Sequence, residues 1–238
     1  MNRIKKIIEK IPVIPYLYRS FRDYRLKKIK AEQVFTDIYK NNKWGGKDSI
    51  SGGGSDIYQT KTIIEELPIM FEKLNISTML DIPCGDFYWM KNVDLSNVNY
   101  IGSDIVSELV EQNLKQYERN GLSFQKLDLI KDKLPKVDLI FCRDCLVHLS
   151  FNDALLALEN ICNSHSKYLL TTTFTNRESN EDIATGNWRT LNLEMSPFAL
   201  PKPSRVINEG CTEGEGNYSD KALGLWKITD IQNALSKC

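Results

Sequence analysis

The 238-residue sequence has only two histidines, no long hydrophobic run and no excess of charge of either sign. The apolar, uncharged stretch at residues 11–18 is short and contains two prolines, so it cannot cross a bilayer. No small-residue cleavage site follows it, so no secretory signal peptide is expected. The absence of a basic stripe in the core argues against nucleic acid as a partner. Histidines and carboxylates do not cluster in the sequence, so it predicts no metal site, although acidic loops leave a Mg²⁺ dependence open.

The six cysteines are scattered, several of them within apolar runs. This distribution is typical of reduced intracellular thiols rather than of a disulfide framework, and it favours a cytoplasmic protein. Cys142-Arg-Asp-Cys145 has C-x-x-C spacing, but no second pair accompanies it. Packing as small hydrophobic side chains is therefore favoured over zinc binding or redox chemistry.

The first thirty residues hold ten of the 31 Lys and Arg residues but only two of the 31 acidic ones. Isoleucines recur there at helical spacing, with lysines between them, which predicts a short amphipathic helix ended by prolines. We interpret residues 1–33 as a basic N-terminal extension and residues 34–238 as a single domain, whose length agrees with one catalytic domain. Packing of the extension on the domain is favoured. The alternative is a peripheral contact of residues 1–30 with the inner face of the membrane.

Beyond this extension, apolar runs and amphipathic segments alternate as in a doubly wound α/β sheet. The pattern predicts an edge hairpin near the end of the chain, a helix interrupted or kinked near Pro68, and a last helix with a capping box at Thr229. The predicted strands are 76–82, 98–104, 123–128, 136–142, 167–174, 205–208 and 223–228, and the predicted helices are 59–74, 106–119 and 151–163.

The segment Thr78-Met-Leu-Asp-Ile-Pro-Cys-Gly-Asp-Phe87 is the most informative part of the chain. It is typical of a buried strand that ends in a carboxylate and leads through a glycine turn to a nucleoside-binding pocket. A dinucleotide site needs three glycines, and only Gly85 is present. Asp81 and Asp86 would repel a pyrophosphate but suit a cationic ligand such as S-adenosylmethionine. An NAD-dependent oxidoreductase is therefore disfavoured.

Two later strands also end in aspartate. Asp104 follows Asp81 by 23 residues, at a position where a carboxylate can accept hydrogen bonds from both ribose hydroxyls. Asp128 ends the next strand and can accept a hydrogen bond from an adenine amine. The alternative is that each aspartate caps the element that follows its strand. Three such residues at similar intervals favour a nucleoside site.

With these motifs the chain resembles the class I S-adenosylmethionine-dependent methyltransferases. It is similar, more narrowly, to a bacterial group with an upstream Trp-Gly and Ser-Gly-x-Gly-Ser loop and three further motifs. The matching segments are Trp44-Gly45, Ser51–Ser55, Asp81–Phe87, Cys142–Leu149 and Asn208–Gly214. The resemblance runs from about Phe35 to Trp226. It implies a Rossmann-like, mostly parallel seven-stranded sheet, S-adenosylmethionine as the cofactor, and a loop over residues 44–55 that closes on it.

The resemblance also implies the residues that contact the cofactor. Ser51 and Ser55 are candidates for its carboxylate, and Trp44 lies in the predicted lid. The full predicted set is Trp44, Ser51, Ser55, Asp81, Pro83, Cys84, Gly85, Asp86, Phe87, Asp104, Ile105, Asp128, Leu129 and Arg143.

The candidate catalytic residues lie in Phe141–Leu149, after the fourth predicted strand. His148 is one candidate base, since its ordinary pKa suits proton acceptance near neutrality. The alternative is that His148 stacks on the cofactor or bonds a local carbonyl. Asp144 is a second candidate base or an orienting group. Arg143 is either an ion-pair partner or an anchor for an anionic acceptor.

The polar segment 175–222 predicts the acceptor pocket, with a surface loop as the alternative. Its candidate substrate-binding residues are Trp188, Arg189, Asn208, Glu209, Tyr218 and Lys221. By analogy we expect methyl transfer to a hydroxyl or phosphorus-linked oxygen of a surface-polysaccharide or glycan precursor. A secondary metabolite is the alternative acceptor, and a non-catalytic binding or regulatory subunit is the alternative function. The oligomeric state is not indicated.

Overall fold

The computed structural model describes residue 26 and residues 29–236, which form one mixed α/β sheet covered by helices. The strands are β1 (Thr78–Asp81), β2 (Asn99–Asp104), β3 (Leu122–Lys126), β4 (Leu139–Cys142), β5 (Tyr168–Phe174), β6 (Arg205–Asn208) and β7 (Lys221–Lys227). The helices are α1 (Ala31–Lys40), α2 (Ile57–Leu74), α3 (Ser107–Tyr117), α4 (Phe151–Asn163) and α5 (Ile228–Leu235).

The seven strands are ordered β3-β2-β1-β4-β5-β7-β6. The first five pair in parallel, whereas β7 is antiparallel to both β5 and β6. The predicted mostly parallel sheet therefore fits broadly, with the antiparallel hairpin at one edge. The strand order reverses between β1 and β4, and in such sheets this switch point opens a crevice at the carboxyl ends of the strands.

Each face of the sheet carries its own hydrophobic core. Successive strand residues point to opposite faces, so Leu139 packs in the core under α2 and α3 while Ile140 packs in the core under α4 and α5. Likewise, Leu170 packs in the same core as Leu139, and Leu169 packs in the same core as Ile140. Burial on both faces explains why the inner strands are continuous apolar runs without alternation.

Two expectations about elements need correction. Helix α2 is not interrupted at Pro68 and continues to Leu74, with its inner face buried on both sides of the proline. Helix α5 has no side-chain cap: Lys227 ends β7 and directly precedes the helix, which places Thr229 in the first turn instead of at the cap. Residue 34, the predicted start of the domain, lies within α1, whose Val34 and Ile38 are buried, and the division of the chain there stays a prediction.

The predicted amphipathic segment around residues 4–11 lies outside the residues that the structure describes. Across residues 29–236 no helix has the length and apolar character needed to cross a membrane. The five cysteines in the described part of the chain are free thiols.

The double core generates a stability prediction. Leu139 is 0% exposed at the centre of the sheet, whereas Leu156 on α4 is 41% exposed. We expect Leu139→Ala to lower the free energy of unfolding by about 2–5 kcal/mol, because it leaves a cavity that the sheet cannot close. Urea unfolding followed by circular dichroism measures this.

The matched control is Leu156→Ala, for which we expect a change below about 0.5 kcal/mol, since the site is exposed and both residues favour helix. Equal losses in the two variants would contradict the described sheet register.

Candidate active site

A cavity of about 470 Å³ lies at the carboxyl ends of β1, β2 and β4. This is the position that the switch point predicts for a ligand, and the volume is in the range of small-molecule sites. The turn after β1 forms its floor, and the loop over residues 44–55 forms one wall. Thirteen of the fourteen residues predicted to contact the cofactor line it: Trp44, Ser51, Ser55, Asp81, Pro83, Cys84, Gly85, Asp86, Asp104, Ile105, Asp128, Leu129 and Arg143.

Phe87, the fourteenth, does not line the cavity. Its backbone has a positive φ of 57°, and its ring packs in the core against Tyr100, Tyr117 and Phe124 at centroid distances of 5.1–5.2 Å. The ring is 1% exposed. Phe87 therefore supports the turn from below instead of contacting a ligand.

Asp104 ends β2 and joins it to the glycine turn. Its carboxylate accepts hydrogen bonds from the backbone N–H of Val106 at 2.9 Å and of Gly85 at 3.2 Å. Burial raises the pKa of Asp104 to about 6, although these hydrogen bonds favour the ionised form. Asp104 is therefore a local cap that also lines the cavity, and its contact with ribose hydroxyls stays a prediction.

Asp81 is buried at the end of β1, where the Tyr100 hydroxyl donates a hydrogen bond to its Oδ2 at 2.5 Å. Burial raises the pKa of Asp81 to about 8, and the bond from Tyr100 only partly offsets this effect. Below that pH the ligand-free protein holds a protonated carboxyl here. A cationic ligand group beside Asp81 would favour its ionisation.

Asp128 lines the cavity, but its carboxylate caps the following turn. Oδ1 accepts from the Ile130 backbone N–H at 2.9 Å, and Oδ2 pairs with Lys131 at 3.1 Å. The capping interpretation thus describes Asp128 better than it describes Asp81 or Asp104. Contact with an adenine amine stays a prediction for Asp128.

Asp86 fastens the loop over residues 44–55 to the glycine turn. Its carboxylate accepts from Ser49 Oγ and from the Ile50 backbone N–H, both at 2.9 Å. Ser51 lies directly over Gly85: a side chain there would begin 2.2 Å from Ser51 Oγ, and Gly85 has a φ of +55°. Glycine is required at this position by both conformation and space. The loop therefore packs directly on the turn, and its closing over a ligand stays a prediction.

His148 lies in a 3₁₀ turn after β4 and lines the cavity. Its Nδ1 is 2.9 Å from the Asn187 carbonyl oxygen. Because a carbonyl only accepts, Nδ1 carries the proton and Nε2 has a free lone pair. Burial lowers the pKa of His148 below its usual value, so the ring is neutral at pH 7. The ring also packs against Trp44 of the lid, with centroids 5.0 Å apart.

Arg143, Asp144, Glu209 and Lys221 form a buried ion network at the acceptor end of the cavity. Arg143 Nη2 lies 2.7 Å from Glu209 Oε2, and Lys221 Nζ lies 2.7 Å from Asp144 Oδ2. Two longer contacts close the network, Arg143 to Asp144 at 3.3 Å and Lys221 to Glu209 at 3.5 Å. Arg143 Nη2 also donates to the Gly54 carbonyl of the lid at 2.8 Å.

This network changes the roles expected of Asp144 and Arg143. Burial by itself would raise the pKa of Asp144, but Lys221 and Arg143 outweigh it and hold that pKa well below its usual range. A carboxylate held in this way is a weak base. Arg143 is 6% exposed and its guanidinium is taken by carboxylates and the lid, which fits an ion-pair partner rather than an anchor for an anionic acceptor.

The expected acceptor residues divide into two groups. Trp188, Tyr218 and Lys221 line the cavity. Arg189 does not: it is buried behind the His148 turn, where it donates to the carbonyls of Leu146 and Val147 at 3.1 and 3.0 Å. Burial lowers the pKa of Arg189 to about 10.

Asn208 and Glu209 are also absent from the lining. Asn208 donates to the Ser219 carbonyl at 2.9 Å, and Glu209 is buried in the ion network. The lining also includes residues that were not singled out in the sequence, among them Phe35, Tyr39, Phe174 and Glu213. The helical spacing of α1 was the available signal for the first two. Glu213 lies within the Asn208–Gly214 motif, but the motif does not show which of its residues faces the cavity.

No group of three or more His, Cys, Asp or Glu side chains within the described ranges is arranged to hold a metal ion.

In fold, the chain is similar to many solved methyltransferases. A human N-acetylserotonin methyltransferase in complex with S-adenosylmethionine superimposes with a TM-score of 0.57 at 15% identity, over 84% of this chain and 60% of that one. The N-methyltransferase NodS from Bradyrhizobium japonicum gives 0.53 at 11% identity, over 73% and 98%. A methyltransferase from Clostridium acetobutylicum gives 0.50 at 14% identity, over 71% and 90%.

This chain has the class I methyltransferase fold. It spans less than two thirds of the human enzyme's length. In sequence, no family model and no curated protein matches it. The bacterial group named from its motifs therefore stays a prediction.

The buried Asp81 generates a prediction on pH and stability. Its pKa is about 8 in the folded protein against 3.8 when unperturbed, so the folded state binds the proton more tightly. The stability from this proton is complete below about pH 4 and is lost as the pH rises to about 8. Asp104 and His148 titrate below pH 6.5, so we expect unfolding free energy to fall by about 1 kcal/mol per unit between pH 6.5 and 8.

Asp81→Asn removes this slope, and urea unfolding at closely spaced pH values measures it. Asp94→Asn is the control: a backbone hydrogen bond from Ser96 lowers the pKa of the exposed Asp94, so the slope stays. A slope that persists in Asp81→Asn would contradict the raised pKa.

Proposed function

We propose that this chain transfers the methyl group of S-adenosylmethionine to a hydroxyl oxygen, with His148 as the base. The observation that carries the proposal is the hydrogen bond from His148 Nδ1 to the Asn187 carbonyl, which leaves Nε2 unprotonated on a ring that lines the cavity. The segment after β4 holds this nitrogen at the same sheet edge as the glycine turn.

S-adenosylmethionine is supported as the cofactor by similar folds crystallised with it or with its demethylated product. When bound, it supplies an electrophilic methyl carbon. Asp104 would accept the ribose hydroxyls, and Asp81 would face the cationic part. The described turn after β1 offers carboxylates and no Lys or Arg in the lining, which suits this ligand better than a dinucleotide pyrophosphate.

The chemistry left to the protein is positioning and proton acceptance. The acceptor hydroxyl gives its proton to His148 Nε2, while Asn187 holds the ring through Nδ1. Asp144 favours the protonated ring electrostatically. Asp144 itself stays ionised and paired with Lys221, so it orients the site without taking the proton.

For the acceptor we propose a hydroxyl of a small polar molecule, with a surface-polysaccharide or glycan precursor as the class. Support comes from a cavity end that combines aromatic rings with ionised side chains. The alternative acceptor is a secondary metabolite, and the alternative function is binding without catalysis.

The cofactor assignment is tested by calorimetry with S-adenosylhomocysteine, and with NAD as the comparison ligand. We expect micromolar affinity for S-adenosylhomocysteine alone. Asp104→Asn should weaken this binding about tenfold or more, because an amide cannot accept both ribose hydroxyls with two oxygens. Asp128→Asn is the matched variant at the next strand, and its effect should be smaller because an adenine amine needs one acceptor oxygen, which the amide keeps. Preferential NAD binding would overturn the assignment.

The base assignment is tested by nitrogen NMR of the two histidines, with His165→Gln identifying His148. We expect His148 to be neutral at pH 7 with the proton on Nδ1, which is the minor tautomer of free imidazole. Its apparent pKa should lie below 6.5. A proton on Nε2 at pH 7 would leave His148 unable to accept the proton of the acceptor and would contradict the proposal.

Turnover tests the same residue with labelled methyl donor and nucleotide sugars or methyl glycosides as acceptors. His148→Ala should lose turnover while its affinity for S-adenosylhomocysteine stays within about threefold of the parent. Retained turnover would refute the base role.

A further inference from the structure

Three aromatic rings form a braced surface at the acceptor end of the cavity. Trp188 contacts Tyr218 with centroids 5.0 Å apart, and Phe174 contacts both at 6.1–6.2 Å. All three line the cavity, and we call them the aromatic platform. Phe174 is 1% exposed and supports the platform from within, whereas Trp188 is 42% exposed. A large exposed aromatic that is fixed by its neighbours is a binding surface for a flat apolar face.

The geometry of the platform excludes a cage for an organic cation. The interplanar angles of 70–81° and the short centroid distances show that the rings pack against one another. A methylammonium group needs space between rings, and here the rings themselves fill it. The platform therefore offers an outer surface for stacking and no enclosed space.

The platform continues into an acidic turn. Gly214, with a φ of +63°, packs on the Tyr218 ring, so that a side chain there would begin 2.6 Å from it. The preceding residue, Glu213, points its carboxylate at the lid. A methyl group built on Gly54 would lie 3.2 Å from Glu213 Oε2 and 3.6 Å from both Asp144 Oδ2 and Lys221 Nζ. Donors and acceptors thus converge beside the platform.

Glu213 gives this end of the cavity an excess of negative charge. Within the described chain no Lys, Arg or His nitrogen lies within ion-pair distance of its carboxylate, whose one polar contact is the Cys211 thiol at 3.9 Å. Arg143 and Lys221 already offset Glu209 and Asp144. A phosphate or carboxylate on the acceptor would meet this excess, and an apolar ring would leave the carboxylates without partners.

We propose that this end of the cavity binds one uncharged pyranose ring, which stacks on Trp188 and donates hydroxyl hydrogen bonds to Glu213. A pyranose has an apolar C–H face for the platform and hydroxyl groups that both donate and accept. A carboxylate can take two neighbouring hydroxyls. The inference rests on the proposed function and names its substrate class: any phosphate carried by a glycan precursor stays outside the cavity.

The test uses the full chain saturated with S-adenosylhomocysteine and saturation-transfer NMR. The probes are uncharged methyl pyranosides, glucose 6-phosphate, phenol and tetramethylammonium, each at about 10 mM. We expect the pyranosides to bind, with the strongest transfer to ring C–H protons, and the other three probes to bind at least about tenfold more weakly.

Variants separate stacking from general damage to the site. Trp188→Ala should weaken pyranoside binding about tenfold, whereas Trp188→Phe keeps a stacking ring and should stay within about threefold. Glu213→Gln should weaken it about tenfold as well, since an amide oxygen is a poorer acceptor than a carboxylate.

Preferential binding of phenol, tetramethylammonium or the phosphate would overturn the inference, as would pyranoside binding that Trp188→Ala leaves unchanged or no pyranoside binding at all. Calorimetry with S-adenosylhomocysteine on the same proteins tests the proposed function separately. Intact binding of that ligand with no pyranoside binding would refute the pyranose site alone. Loss of that ligand in the parent protein would refute the proposed function.

Discussion

The structure of the site depends on the buried pairing of Arg143 with Glu209. Arg143 leaves the end of β4, and Glu209 follows the edge strand β6, so their contact ties the parallel half of the sheet to the antiparallel hairpin. The same guanidinium donates to the Gly54 carbonyl. One side chain therefore fixes the lid, the hairpin and the end of β4 relative to one another. Removing either partner would leave a charge buried without compensation, which is far more costly than the net value of the pair.

Lys221 and Asp144 extend this pairing to the reacting region. Asp144 adopts a positive φ of 51°, an uncommon conformation for a residue other than glycine, and its backbone N–H donates to the Thr172 hydroxyl at 2.8 Å. Lys221 is the first residue of β7 and reaches Asp144 from a strand that runs opposite to β4. Both cations of the network are paired with carboxylates, whereas His148 lines the cavity as a neutral ring whose Nδ1 is held by the Asn187 carbonyl.

Much of the cofactor half could be predicted from sequence because its residues are local to strand ends. A buried strand followed by Asp81 and Gly85 specifies a turn at a known edge, and the same pattern located Asp104. Phe87 failed for a local reason that the pattern does not show: its positive φ turns the ring into the core. Asp128 lines the cavity as expected, but its carboxylate also caps the following turn, so contact with an adenine amine stays a prediction.

The acceptor half could be predicted only as a segment, since its contacts join residues far apart in the chain. Lys221 meets Asp144 across 77 positions, and Glu209 meets Arg143 across 66. Which member of such a set faces the cavity depends on the register of β6 and β7, which hydrophobic periodicity does not specify. Glu213 lies in a turn with three residues at positive φ, where no periodic signal exists.

The buried network also has a cost that bears on its role. Glu209 Oε1 is buried without a hydrogen-bond partner among the described residues, and a well-packed apolar set can replace a buried ion pair at little or no loss of stability. Stability is therefore a weak reason for these four charges. Positioning is a stronger one: paired charges of fixed geometry hold the Gly54 carbonyl and the Asp144 carboxylate in place beside the cavity. A hydrophobic substitute could fill the space but would not fix the loop over residues 44–55 to the end of β4 through a hydrogen bond.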